Sequence, residues 1–131
     1  MSYRLLDTNI VSFMMKSHPL LAAYQPHFAG FDLAISFQTL AELLEGGTRA
    51  GWGDARWSEL NATLSTLVYF HSDEATCLRW AEIRVARRSQ PMPVADCWIA
   101  ATALAFDVEL ITHNPRDFVG IPNLVVITEV P

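Results

Sequence analysis

Four acidic side chains are placed where they could do chemistry together: Asp7, Glu42, Asp96 and Asp117. Asp7 closes the apolar run Tyr3-Arg4-Leu5-Leu6, and Asp117 follows a later such run, Val108-Glu109-Leu110-Ile111-Thr112, within His113-Asn114-Pro115-Arg116-Asp117-Phe118. Carboxylates gathered in one place repel one another and raise one another's pKa unless a cation lies among them. The cation that suits an all-oxygen donor set is a hard divalent ion, Mg²⁺ or Mn²⁺. Such an ion among carboxylates does phosphoryl chemistry, polarising the phosphate and activating water. Read singly, each acid also has a plain structural role. Asp7 can cap the helix that follows it, Glu42 can be the exposed flank of an apolar helix, Asp96 suits a helix N-terminus, and Asp117 suits a turn. Only their meeting at one end of one sheet would argue for chemistry.

The elements that must bring them together can be read from apolar patterning. Leu5 and Leu6 are consecutive, so both faces of their strand are apolar, as in a central strand of a parallel sheet covered on both sides. Ligands in open α/β sheets bind just beyond the carboxyl ends of the strands, which is where Asp7 falls. Thr8 is expected to cap a helix over residues 8–16. A second helix is predicted over residues 20–28, with Pro26 weakening its end, and a second strand over residues 32–36. Ser36 then caps a third helix over residues 37–45, which carries Glu42 and is stopped by Gly46-Gly47. Residues 55–67 read as a fourth helix and residues 67–70 as a third strand. Asp73 caps a fifth helix over residues 74–89, with Cys77, Leu78, Ala81, Ile83 and Val85 as its core face. Gln90-Pro91-Met92-Pro93 is a rigid connection to a sixth helix, residues 94–106, with Asp96 in its first turn. Strands over residues 108–112 and 124–127 flank a loop or single turn at residues 113–118. The alternation predicts a three-layer α/β/α domain with a central five-stranded parallel sheet, one domain spanning residues 1–131.

Composition narrows the function. The chain has 131 residues, is 51% hydrophobic and carries a net charge of −5. A nucleic-acid binder usually has a basic balance, so phosphate contacts here must come from a local cluster or from metal ions. Arg79, Arg84, Arg87 and Arg88 are half of the eight arginines. Arg84 and Arg88 lie one turn apart and read either as an RNA-backbone track or as a solvated face paired with Glu82. Arg116, beside Asp117, is placed to reach a phosphate. Cys77 and Cys97 have no metal-ligand spacing and read as buried thiols of a reducing compartment. With no signal peptide and no apolar run long enough to span a bilayer, the expected location is cytoplasmic. The apolar excess points to a covered surface, a homodimer or a tight partner. Trp52 and Trp57 with Phe13, Met14 and Met15 read as core or as a groove for a partner helix. His113 is read as a polar filler or as an acid or base.

The segments Leu5-Leu6-Asp7-Thr8-Asn9, Thr39-Leu40-Ala41-Glu42-Leu43-Leu44-Glu45-Gly46, Asp96-Cys97-Trp98-Ile99-Ala100-Ala101-Thr102-Ala103 and Leu110-Ile111-Thr112-His113-Asn114-Pro115-Arg116-Asp117-Phe118 occur in this order. Together they resemble PIN-domain ribonucleases, closely the VapC-type toxins of bacterial toxin–antitoxin pairs. The resemblance implies Mg²⁺-dependent RNA cleavage and a small antitoxin that blocks the site. It implies that Asp7 and Asp96 are the principal metal ligands and that Glu42 is the third acid, binding the ion directly or through water. The fourth acidic position of many relatives is held here by Asn114, so Asp117 is expected to serve instead, leaving one or two ions open. Thr8, Asn9, Thr112 and Asn114 are expected to support the site. Competing readings are a PIN-fold RNA- or partner-binding module without catalysis and a haloacid-dehalogenase-like phosphatase. The latter needs a second aspartate where this chain has Asn9, and a lysine near the phosphate, whereas the only lysine is Lys16 in the first helix.

Overall fold

The computed structural model describes residues 2–131. Five strands, β1 (Tyr3–Leu6), β2 (Asp32–Ser36), β3 (Val68–Phe70), β4 (Glu109–Ile111) and β5 (Val126–Ile127), form one sheet in the order β3-β2-β1-β4-β5. Every pairing is parallel. Leu5 sits between Ala34 and Leu110, and all three are fully buried. β1 is therefore the centre of the sheet, as its consecutive leucines require. The chain builds outward from β1 to β2 and β3, then crosses back to β4 and β5. The order reverses between β1 and β4, and an open parallel sheet forms its ligand crevice at such a reversal.

Helices cover both faces. One core joins Leu5, Ala34, Ile83, Cys97, Ile99 and Leu110 beneath α5 (Glu74–Ala86) and α6 (Val94–Ala105). The other joins Leu6, Ile10, Val11, Tyr24, Ile35, Leu43 and Leu60 beneath α1 (Thr8–Lys16), α2 (Leu21–Tyr24), α3 (Phe37–Ala50) and α4 (Asp54–Leu64). Trp52, Trp57, Phe13, Met14 and Met15 are partly buried against this second core. This is the three-layer α/β/α arrangement expected from the alternation of elements.

Several boundaries differ from the sequence reading, each for a local reason. Asp7, not Thr8, is the N-cap of α1: its Oδ1 accepts from the Thr8 backbone N–H at 2.7 Å. The Thr8 hydroxyl is thereby released to donate to Thr39 Oγ1 at 3.1 Å. The second helix is a single turn, because the chain tightens into a 3-10 turn over Gln25–His27 around Pro26. Ser36 and Asp73 cap α3 and α5 as expected, each accepting from the N–H three residues on.

α3 runs straight through Gly46-Gly47 and ends at Gly51, whose φ of +65° is a left-handed cap that glycine adopts without strain. Gly47 is not a stop but a contact. A Cβ there would lie 2.6 Å from both Trp52 Cε3 and Trp57 Cη2, whereas a Cβ at Gly46 meets nothing within 4 Å. Gly46→Ala is therefore expected to stabilise by about 0.5–1 kcal/mol, the usual helix gain. Gly47→Ala is expected to destabilise by about 1–3 kcal/mol through overpacking. Denaturant unfolding of the two variants checks the contrast; a stabilising Gly47→Ala would contradict the tight tryptophan contact.

The fifth helix departs most. Of its expected core face only Ile83 is buried; Leu78 is 59% and Val85 60% exposed, and Cys77 is exposed as well. Thr76 and Ile83 face inward. Cys97 is the buried thiol of the pair. No helix among the described residues is long and apolar enough to cross a membrane.

Candidate active site

Asp7 leaves the central strand at its carboxyl end, and the strand directs it into the crevice. Its backbone N–H continues the ladder to Ile111 O at 2.9 Å, so the residue after β1 is still held by β4. The side chain is only 5% exposed. Oδ1 accepts from Thr8 N, and Oδ2 accepts from the Thr112 hydroxyl at 2.7 Å and from Asn9 Nδ2 at 3.3 Å. Burial nevertheless holds the Asp7 carboxyl above its usual range, and the charges of Glu42 and Asp117 push the same way, against the hydrogen bonds from Thr112 and Thr8.

The polar positions around Asp7 form a relay. Thr112 is fully buried, and its hydroxyl accepts from Asn114 N at 2.9 Å while donating to Asp7. Asn9 Oδ1 accepts from His113 N at 3.2 Å while its amide donates to Asp7. Two backbone N–H groups of the loop after β4 are thus spent on orienting two side chains that orient Asp7. His113 points its ring away from the acids into an aromatic group: Nδ1 meets the Tyr24 hydroxyl, and the ring packs edge-on to Phe13 and Tyr24.

The other acids arrive from three elements. α6 begins at the carboxyl end of the sheet and carries Asp96 in its first turn. Asp117 comes from the short 3-10 turn Pro115–Phe118 after β4. Glu42 comes from the second turn of α3, where Gln38 Nε2, four residues earlier, donates to its Oε1 at 3.1 Å. Asp96 registers all of them. Burial first, then the charges of Asp7, Asp117 and Glu42, push its carboxyl up to about 7, and a hydrogen bond with Asp117 favours the protonated form. The four acids predicted to meet are therefore gathered at the reversal in strand order. Asp117, rather than the Asn114 side chain, is the acidic neighbour of Asp96.

The donor chemistry fits a hard divalent cation. Every available donor is oxygen, and the mutual repulsion is of the kind a cation relieves. Among the described residues no three acidic, histidine or cysteine side chains are grouped as a ready-made cage.

The arginines are distributed differently. Arg84 Nη1 reaches Met92 O at 3.4 Å, and its guanidinium lies over the Trp80 ring. Arg87 donates to Gln90 O and Val119 O, and Arg88 to Val85 O. Glu82 pairs with Arg79 instead. Arg116 is exposed next to Asp117. Three supporting residues escaped the sequence reading as site members: Gln38, Thr39 and Tyr24. Gln38 was legible in principle as an i,i+4 partner of Glu42 on one helix face; Tyr24 and Thr39 act across elements and left no local signal.

A parallel α/β/α sheet with acids converging at its switch point defines the class, and sequence comparison gives the family. The PIN-domain profile matches residues 4–123. Ribonuclease VapC1 of Haemophilus influenzae (strain R2866) is 32% identical over 126 residues, covering 92% of each chain. The tRNA(fMet)-specific endonuclease VapC of Shigella flexneri is 26% identical over 92% of each chain. Among solved structures, VapBC2 from Rickettsia felis, bound to a DNA fragment from its promoter, superposes with a TM-score of 0.85 at 27% identity over 98% of both chains. The chain belongs to the PIN-domain family, among the VapC ribonucleases.

Proposed function

We propose that the protein is a Mg²⁺- or Mn²⁺-dependent endoribonuclease of the cytoplasm, a homodimer, and the toxin of a toxin–antitoxin pair. The observation that carries this reading is the gathering of Asp7, Glu42, Asp96 and Asp117 at the sheet's switch point, with Asp96 pushed up to about 7. The ribonuclease names of its relatives support RNA as the substrate class, and a toxin-antitoxin complex from Klebsiella pneumoniae among its structural neighbours supports the partner.

Asp7 and Asp96 would hold the ion, which when bound polarises the scissile phosphodiester and makes water a better nucleophile. Thr8, Asn9, Thr112 and Asn114 keep Asp7 in one orientation through the hydrogen bonds described above. Glu42 and Asp117 orient the attacking water, one of the two carboxylates takes the proton it loses, and the departing ribose oxygen takes up a proton from solvent water. The water oxygen bonds to phosphorus as the bond to the leaving ribose oxygen breaks, without a covalent enzyme intermediate. Arg116, exposed and beside Asp117, takes a neighbouring phosphate.

An antitoxin segment would lie in the groove of about 660 Å³ that leads from Thr8 and Glu42 between α1, α3 and α4. Met15, Leu43 and Trp52 give it an apolar floor, and Lys16 and Arg56 give it a basic rim.

The test is incubation of the purified chain with single-stranded and hairpin RNA in Mg²⁺, in Mn²⁺ and in EDTA. Cleavage products are expected with either metal and none with EDTA. Intact RNA under conditions where Mn²⁺ is shown to bind would leave a binding module without catalysis and overturn the proposal.

A further inference from the structure

Tyr24 is the largest wholly buried side chain among the described residues, and it carries a hydroxyl into a core otherwise made of Leu6, Ile10, Val11 and Ile111. A buried hydroxyl needs hydrogen-bond partners, and those of Tyr24 come from distant parts of the chain. Glu129 N, in the segment after β5, donates to Tyr24 Oη at 3.1 Å. The hydroxyl proton has two acceptors within reach, His113 Nδ1 and Thr112 O at 3.5 Å, and Nδ1 is much the closer. Tyr24 therefore donates to Nδ1, which holds His113 as the neutral tautomer protonated at Nε2. The Phe13 and Tyr24 rings pack edge-on against the imidazole, with centroids 5.4 and 5.6 Å away, and keep it from turning. The backbone N–H of the same histidine donates to Asn9 Oδ1. An asparagine amide fits either way round, so this N–H selects the orientation that turns Nδ2 toward Asp7 Oδ2.

We propose that Tyr24 is a positioning residue of the metal site, and that together with the Glu129 backbone it ties the segment after β5 to Asp7. The proposal rests on the reading of Asp7 as a ligand of a divalent ion and deepens it, by naming what fixes that ligand from outside the crevice. The links are the Glu129 N–H, the Tyr24 hydroxyl, His113, Asn9 and Asp7, and at each link the donor points toward the carboxylate. Groups behind a ligand set its orientation and so its affinity for the ion. Tyr24 acts through His113 and Asn9 and touches neither the ion nor the RNA. Thr112 holds Asp7 Oδ2 independently, so losing the Tyr24 hydroxyl loosens the carboxylate without freeing it.

Two measurements on the full chain test this. In the metal-free protein, exchange of the His113 amide, followed by NMR, is expected to be on the order of 10-fold faster in Tyr24→Phe than in wild type. In calorimetric titration with Mn²⁺, Tyr24→Phe and Asn9→Ala are each expected to raise the dissociation constant on the order of 10-fold. The double variant is expected to bind no more weakly than Asn9→Ala alone, because Tyr24 acts through Asn9. Glu129→Ala keeps the backbone N–H, loses only the pair with His27, and is expected to bind as wild type. Glu129→Pro removes the N–H and is expected to bind several-fold more weakly. Leu64→Ala, a core truncation in α4, is expected to lower the melting temperature with Mn²⁺ affinity unchanged, which separates positioning from loss of stability. Wild-type Mn²⁺ affinity or wild-type His113 exchange in Tyr24→Phe would overturn the role of Tyr24, as would losses that multiply in the double variant. Wild-type affinity in Glu129→Pro would overturn the tie to the segment after β5. No Mn²⁺ binding by wild type would overturn the metal reading itself and this proposal with it.

Discussion

Asp7→Asn is expected to lower metal-dependent RNA cleavage on the order of 10³-fold, the scale of losing a principal electrostatic contact to the reacting centre. Two effects combine. The amide carries no charge to hold a divalent ion. It also disturbs the relay, because Oδ2 of Asp7 accepts from both the Thr112 hydroxyl and Asn9 Nδ2. An amide nitrogen placed there would meet the Asn9 amide donor for donor, and Asn9 turning away would release His113 N. Asp96→Asn is expected to lose activity on the same scale. Glu42→Gln is expected to lose less, because the proposed role of Glu42 is to orient water and because Gln38 can still donate to the remaining oxygen. Single-turnover cleavage at saturating Mn²⁺ measures all three. Wild-type rates in Asp7→Asn, with contaminating nuclease excluded by an independent preparation, would contradict the site.

Removing the same charge is expected to have the opposite effect on stability. In the metal-free protein the Asp96 carboxyl is raised from 3.8 to about 7. The native state therefore binds this proton more tightly than the unfolded chain does. The stability it contributes is complete below about pH 4, declines as pH rises, and is lost once pH passes 7. Asp7, also raised, acts in the same direction. Because Asp96 is half-exposed, solvent screening reduces the effect to on the order of 1–2 kcal/mol. Thermal melts in EDTA are thus expected to fall by several degrees from pH 5 to pH 8. Asp96→Asn should flatten that slope and melt above wild type at pH 8. Mg²⁺ should stabilise wild type most at pH 8, where the carboxylates are ionised, and least at pH 5. A metal-free melt that rises from pH 5 to pH 8, with Asp96→Asn following it, would show that the acids do not repel one another.

Much of this site is legible in the chain before any coordinates. Consecutive Leu5 and Leu6 mark a central strand, and a carboxylate at its end marks the crevice. What pattern cannot supply is adjacency. That Asp96 lies close enough to Asp117 to feel its charge depends on α6 starting at the carboxyl end of the sheet and on β4 lying beside β1, a crossover no local residue encodes. Gly46-Gly47 reads as a helix stop because backbone freedom is a local property; the tryptophans that require Gly47 within the helix lie five and ten residues further on. α5 misleads for a different reason. Periodicity detects that Leu78, Ala81 and Val85 share a face but not what covers that face, and a helix apolar on both sides offers two cores to choose from. Thr8 and Asp7 are both good caps, and only the strand's exit angle selects Asp7.

Asp7 and Asp96 together are expected to hold one divalent ion. Calorimetric titration of the metal-free protein with Mn²⁺ at pH 8 tests it most directly. Wild type is expected to show a single weak site, and Asp7→Asn and Asp96→Asn are each expected to abolish it, while the groove variant Arg56→Ala retains it. Equal Mn²⁺ binding by wild type and both acid variants would contradict the account.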